Sequence, residues 1–139
     1  MKLNPYLTFN DSCEAAFKYY AEHLNGTIVD MMRVGDAPPM EDGAAYDKPD
    51  NIMHAMMTID GVTLMGSDAM ERYCPYEKPQ GIAVALHVDS AAEAERVFGV
   101  LADGGTITMP LDKTFWAVRF GTVTDRFGVP WMINCEKDA

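Results

Sequence analysis

His54 and His87 are the residues of this chain best placed to move a proton or hold a metal, because an unperturbed imidazole titrates close to neutrality. Their surroundings say which chemistry is open to them. Asp60-Gly61 separates two strand-like runs, Ile52 to Ile59 and Val62 to Ser67, and a two-residue turn of this type pairs Ile59 with Val62. Counting back along both runs sets Met56 beside Met65 and His54 beside Ser67. A serine next to an imidazole is the start of a nucleophile and its base, yet the sequence shows no third residue to orient the ring. His54 near a strand start also fits a hydrogen-bonded structural histidine, and His87 beside a helix cap fits one that ties a junction. A metal shared by His54, His87 and a carboxylate such as Glu136 is a further alternative. The third histidine, His23, falls on a helix-like stretch and is expected at the surface.

The elements that must position these residues occur twice. Asp11-Ser12-Cys13-Glu14-Ala15-Ala16 opens a helical pattern that continues through Ala15, Ala16, Tyr19, Tyr20 and His23 or Leu24 and stops at Asn25-Gly26. Asp89-Ser90-Ala91-Ala92-Glu93-Ala94 opens another, with Ala94, Val97, Phe98 and Leu101 as its apolar stripe and Gly104-Gly105 as its stop. Asp11 or Ser12 is the expected cap of the first helix, and Ser90 with Glu93 reads as a capping box on the second. A strand-like run precedes each helix, Pro5 to Phe9 and Ile82 to Val88, and three more follow, the last two meeting at a glycine turn. Two copies of a β-α-β-β-β unit follow from this, each unable to bury its sheet alone. The expected organisation is one domain over 1–139, with module one at 1–70, a linker at 71–79 and module two at 80–139. Between Gly35 and Asn51 the chain carries Pro38, Pro39, Gly43, Pro49 and several acidic residues without periodicity, which reads as a long loop and a candidate flap.

Composition narrows the partners. In 139 residues, 48% of them hydrophobic, 11 basic side chains face 21 acidic ones, a formal charge of -10. Such a chain has enough apolar material for a core and repels phosphate backbones and anionic membrane surfaces, so neither nucleic acid nor a membrane is an expected partner. No run of about 18 apolar residues is present to span a bilayer, and the expected location is the cytoplasm. Cys13, Cys74 and Cys135 are odd in number and widely spaced, which suits free thiols better than a disulfide framework or a cysteine-rich zinc site.

Four segments resemble a known family: Arg33-Val34-Gly35-Asp36-Ala37-Pro38-Pro39, Gly66-Ser67-Asp68-Ala69, Thr114 to Gly121, and Thr124-Asp125-Arg126-Phe127-Gly128-Val129-Pro130-Trp131-Met132-Ile133-Asn134. They lie in order across both halves and are similar to the PhnB-like branch of the glyoxalase, bleomycin-resistance and dioxygenase superfamily, the vicinal oxygen chelate group. The resemblance implies an α+β fold in which two βαβββ modules form a cup-shaped mixed sheet, usually within a homodimer. It also implies metal ligands, histidine or glutamate, at four strand positions. Those positions hold Asn4, Met65, Ala83 and Met132, none a usual ligand for a hard or borderline divalent ion, and a shift by one residue does not restore the set. No metal and no other cofactor is therefore expected. A methyltransferase label attaches to some relatives, but no glycine-rich loop follows a strand here to hold a methyl donor.

If Met65 and Met132 face the concave side, alternation brings Thr63 and Ser67 with the first and Asn134 with the second. The paired strands add Tyr6, Thr8, His54, Ala85 and His87. The phase of Phe115 to Phe120 stays open: a four-residue turn at 125–128 pairs Thr124 with Val129 and turns Arg119 inward, whereas a two-residue turn pairs Val123 with Met132 and brings Trp116 inward through a bulge. Arg119 inward would meet an anionic group; the competing reading is a salt bridge to a carboxylate at a dimer interface. The candidate ligand-binding set is thus Tyr6, His54, Ser67, His87, Arg119 and Asn134. The expected function is small-molecule binding in a PhnB-like protein. The alternatives are a lyase, isomerase or dioxygenase using a displaced metal or His54/His87 acid-base catalysis, and a purely structural dimer. Eleven methionines, several on the inner strands, suit an adaptable pocket and equally an ordinary core.

Overall fold

Asp60 and Gly61 adopt φ of 48° and 80°, the left-handed pair that a tight hairpin needs, and the strands they join are in the expected register, with Ile59 opposite Val62 and Met56 opposite Met65. Asn25 likewise takes φ 55° and ends the first helix. The structure, a computed structural model, describes residues 1–43 and 45–138. The chain forms two compact units, Met1–Tyr76 and Glu77–Ala139.

In the first unit β1 (Tyr6–Phe9), α1 (Cys13–His23), β2 (Thr27–Arg33), a short 3-10 turn (Val34–Asp36), β3 (Ile52–Ile59) and β4 (Val62–Asp68) follow in sequence. The sheet order is β1-β4-β3-β2, with β1 parallel to β4 and the other pairs antiparallel. The second unit repeats this plan with β5 (Val84–His87), α2 (Ala91–Ala102), β6 (Thr106–Asp112), β7 (Arg119–Thr124) and β8 (Pro130–Cys135), in the order β5-β8-β7-β6. Two four-stranded mixed sheets, each with one helix on one face, make an α+β protein.

Each helix seats a phenylalanine on a strand glycine. A Cβ on Gly66 of β4 would lie 2.9 Å from the Phe17 ring, and one on Gly121 of β7 would lie 2.8 Å from the Phe98 ring. The missing side chains let the rings reach the sheet backbone, and burying each contributes about 1.5 to 3 kcal/mol. This contact also sets the phase of α1. Its buried face is Cys13, Ala16, Phe17 and Tyr20, while Ala15, expected inside, is exposed and Tyr19 is half-buried. The stripe of α2, Ala94, Val97, Phe98 and Leu101, is buried as expected.

The helix starts depart from the sequence expectation in part, on α2 for a local reason and on α1 for a tertiary one. Ser90 does cap α2, its hydroxyl accepting from Glu93 N at 3.1 Å, but the Glu93 carboxylate turns to Arg96 at 2.6 Å and leaves the box half made. On α1 the Ser12 side chain makes no cap bond. The donor is met from the end of β4, where the buried Asp68 carboxylate accepts from Cys13 N at 2.9 Å and Ile52 N at 2.8 Å. Asp11, at φ 65°, accepts instead from Asn51 Nδ2 at 2.7 Å and Lys48 Nζ at 2.9 Å.

A second buried carboxylate decides the last hairpin. Asp125 accepts from Phe127 N and Val129 N, both at 2.9 Å, and from Trp131 Nε1 at 2.8 Å. These bonds hold five residues, 125–129, between the paired Thr124 and Pro130, so neither expected turn forms. The ladder shifts by one relative to the four-residue version: Gly121 meets Ile133 and Thr122 meets Met132.

Candidate functional site

In each sheet the face turned away from the helix collects the polar candidates. On β4 the buried Leu64, Gly66 and Asp68 face α1, which leaves Thr63, Met65 and Ser67 on the opposite side. The pairs Tyr6 with Met65, Thr8 with Ser67 and Met56 with Met65 put those residues on the same helix-free face. His54 joins them one step beyond Ala55, whose partner is Gly66, and the same register brings it level with Ser67. The contact that His54 makes is with Tyr6: the rings stack at 5.9 Å between centroids and 30° between planes, with the Tyr6 Oη 3.4 Å from Nδ1. Tyr6 is half exposed at 50% and its neighbours Met56 and Met65 are half-buried, so the pair stands at the open surface of an apolar strip.

The second sheet is built alike. Trp131, Ile133 and Cys135 of β8 are buried on the α2 side, and Met132 and Asn134 point the other way. The parallel ladder sets Ala85 opposite Met132 and His87 opposite Asn134. His87 Nδ1 lies 3.3 Å from the Asn134 amide nitrogen, and the Asn134 carbonyl oxygen is buried with no hydrogen-bond partner among the described residues. Phe120 sits directly across from Asn134, and the Trp116 ring packs edge-on against Phe120 with centroids 5.2 Å apart. Thr122 on the same face bonds Thr108, with 2.6 Å between hydroxyl oxygens.

Arg119 leaves the candidate set. It is opposite Cys135 and therefore shares the helix face, where its guanidinium reaches Glu95 of α2 at 3.2 Å. The expectation of an inward Arg119 failed because the Asp125 turn holds one residue more than a four-residue turn. The carboxylate it meets belongs to its own unit. Tyr6 with His54, and His87 with Asn134, are thus brought together in pairs, Ser67 is level with His54, and Arg119 stands apart. Sequence reasoning left Phe120 out of the site; its cross-strand place opposite Asn134 follows only once the register is known.

The long loop expected as a flap is tied at its end to the residues before α1, where Asp11 accepts from Lys48 and Asn51. Arg33, at the end of β2, donates to the Asp50 carbonyl of the loop at 3.1 Å and grips the Glu14 carboxylate of α1 with two bonds at 3.0 and 2.8 Å. Arg33 first, and Lys18 after it, hold the Glu14 carboxyl down at about 2. Beneath the loop is a cavity of about 120 Å³ beside Tyr46, Lys48, Asp68 and Met70. Asp68 there holds two backbone N–H groups, Lys48 holds Asp11, and Tyr46 donates to the Pro38 carbonyl at 2.6 Å. Burial pushes the Cys13 thiol well above its ordinary range, as suits an inert core group.

The two strand positions at which the resemblance implies metal ligands, and which lie in β4 and β8, carry the thioethers of Met65 and Met132. Thioethers do not fit a site that needs imidazole or carboxylate. Among the described residues no three His, Cys, Asp or Glu side chains gather as a metal-holding group, and no helix is long and apolar enough to cross a membrane.

The chain is 48% identical to protein PA1353 of Pseudomonas aeruginosa, whose crystal structure superposes with a TM-score of 0.90 over 99% of both chains. It is 38% identical to protein YjdN of Escherichia coli K12, covering 99% of this chain and 97% of the relative. A glyoxalase-related enzyme from Fulvimarina pelagi shares the fold at 18% identity and a TM-score of 0.60, over 97% of this chain and 88% of that one. The family described as 3-demethylubiquinone-9 3-methyltransferase matches residues 1–134. With its two βαβββ units and this match along nearly its whole length, the chain belongs to the PhnB-like 3-demethylubiquinone-9 3-methyltransferase family, built on the glyoxalase and bleomycin-resistance fold.

Proposed function

We propose that this protein binds a small organic molecule on its helix-free sheet faces, without the metal site usual for the superfamily. The observation that carries the reading is the make-up of those faces. Tyr6 with His54, and His87 with Asn134, are polar pairs set beside Met56, Met65 and Met132, and isolated polar groups in apolar, deformable walls suit recognition of an organic ligand. The methyl transfer in the family's description is not carried over: the β-to-α turns hold Asp11 and Asp89, not the glycines of a donor-binding loop. A homodimer in the cytoplasm belongs to the same proposal.

A second reading, acid-base catalysis by His54, is favoured by the Tyr6 hydroxyl at 3.4 Å, which can hand a proton to or take one from the imidazole. It requires turnover that His54→Ala abolishes while the fold survives.

The test is a thermal-shift series on chelator-stripped protein with Mg, Mn, Fe(II), Co, Ni and Zn, run beside a panel of neutral aromatic and heteroaromatic compounds. The expected result is an unchanged melting temperature with every metal and a rise with some organic compounds. A rise with one metal that disappears in His54→Ala or His87→Ala would overturn the metal-free reading.

A further inference from the structure

The carboxamide of Asn134 is half satisfied in a place where that is costly. The residue is 7% exposed, its nitrogen lies 3.3 Å from His87 Nδ1, and its oxygen has no hydrogen-bond partner among the described residues. A buried carbonyl left unpaired loses its hydration without return, and native proteins rarely keep one without a use. Exchanging the amide's oxygen and nitrogen does not remove the problem, because the end turned away from His87 then becomes an unmet N–H₂. The neighbour at the amide nitrogen is loosely held: His87 is exposed and its contact with the Asn134 nitrogen is longer than an ordinary hydrogen bond.

We propose that the ligand is an uncharged planar molecule with an N–H donor and an acceptor on neighbouring atoms, such as a lactam, a primary carboxamide or an amino-substituted aza-aromatic ring, and that Asn134 reads both at once as His87 moves aside. The proposal rests on the small-molecule reading above and adds the ligand's chemistry. A carboxamide edge offers one acceptor and one donor side by side, the same two-point pairing by which asparagine recognises the edge of adenine. Planarity follows from the wall. Phe120 lies directly across from Asn134, and Trp116, packed against Phe120 and still 47% exposed, leaves aromatic surface free for a flat ring. The formal charge of -10 disfavours an anion, and the uncharged carboxamide of Asn134 offers no counter-charge to pair with a cation.

The experiment follows the Asn134 side-chain amide by NMR in ¹⁵N-labelled full-length protein. The probes are 2-pyridone and benzamide, each against its donor-free partner, N-methyl-2-pyridone and N,N-dimethylbenzamide. The parents are expected to move the Asn134 amide resonances and to bind about tenfold or more tighter than the methylated partners, the factor that one unmet hydrogen bond carries. Asn134→Leu is expected to lose this discrimination while melting no lower than the wild type, since it removes an unpaired oxygen. A purely structural Asn134 would instead give a lower melting temperature. Asn134→Asp, which keeps only acceptors, should turn the preference toward benzamidine. Equal binding of parent and methylated compounds, or discrimination retained in Asn134→Leu, overturns the proposal. So does failure of all four probes while other organic compounds bind, which leaves the binding reading standing; failure of every compound in the panel overturns both.

Discussion

Removing the Asp125 carboxylate should destabilise the second unit more than any surface change, by an amount that the hydrogen bonds set. Asp125 is 5% exposed and serves three donors, of which Val129 N and Trp131 Nε1 are buried and Phe127 N is half-buried. Asp125→Ala removes the carboxylate acceptor from the buried Val129 N and Trp131 Nε1, at about 1 to 3 kcal/mol each, so the expected loss is about 2 to 6 kcal/mol. Asp125→Asn keeps an oxygen for the two backbone groups and turns N–H₂ toward the indole N–H, so one donor is lost and the cost is about 1 to 3 kcal/mol. Glu136→Ala, at an exposed position, is the control and should stay within about 0.5 kcal/mol. Urea unfolding followed by tryptophan fluorescence suits the question, because both tryptophans, Trp116 and Trp131, lie in this unit and Trp131 is 1% exposed. If Asp125→Ala and Asp125→Asn unfold alike and with the control, the carboxylate does not hold the hairpin, and the explanation for the register of β7 and β8 is wrong.

Two further outcomes follow from the helix ends. Ser90→Ala should cost about 0.5 to 2 kcal/mol in the same urea assay, because its hydroxyl accepts from Glu93 N. Ser12→Ala should cost far less, since α1 draws its cap from Asp68; equal losses at the two serines would contradict that assignment. The Glu14 carboxyl, held at about 2 by Arg33 and Lys18 against an ordinary 4.5, contributes stability that is fully present above about pH 4.5 and lost as pH falls through about 2. The partners are partly exposed, so Glu14→Gln should cost under about 1 kcal/mol near neutral pH, with the gap to wild type closing toward pH 2. A gap that persists at pH 2 would mean that the loss came from packing and not from charge.

The sequence by itself determined the elements and much of their pairing. Asp60-Gly61 carries its own turn geometry, so the β3–β4 register, and with it the common face of Met56, Met65 and His54, follows from local chemistry alone. The stripe of α2 and the Ser90 cap are equally local, because helical periodicity and a hydroxyl three residues before its donor need no distant partner. Tertiary structure decided the rest. Phe17 belongs to the buried face of α1 because Gly66, far along the chain, leaves room on β4; Cys13 is capped by Asp68 for the same reason of spatial meeting. Arg119 took its face from a turn whose length is held by a carboxylate that bonds two backbone amides and an indole six residues on, and the same register set Phe120 across from Asn134. Local propensity chooses among conformations of a few residues, but a buried polar group is satisfied by whatever the fold brings to it, and that choice set which side chains share a surface.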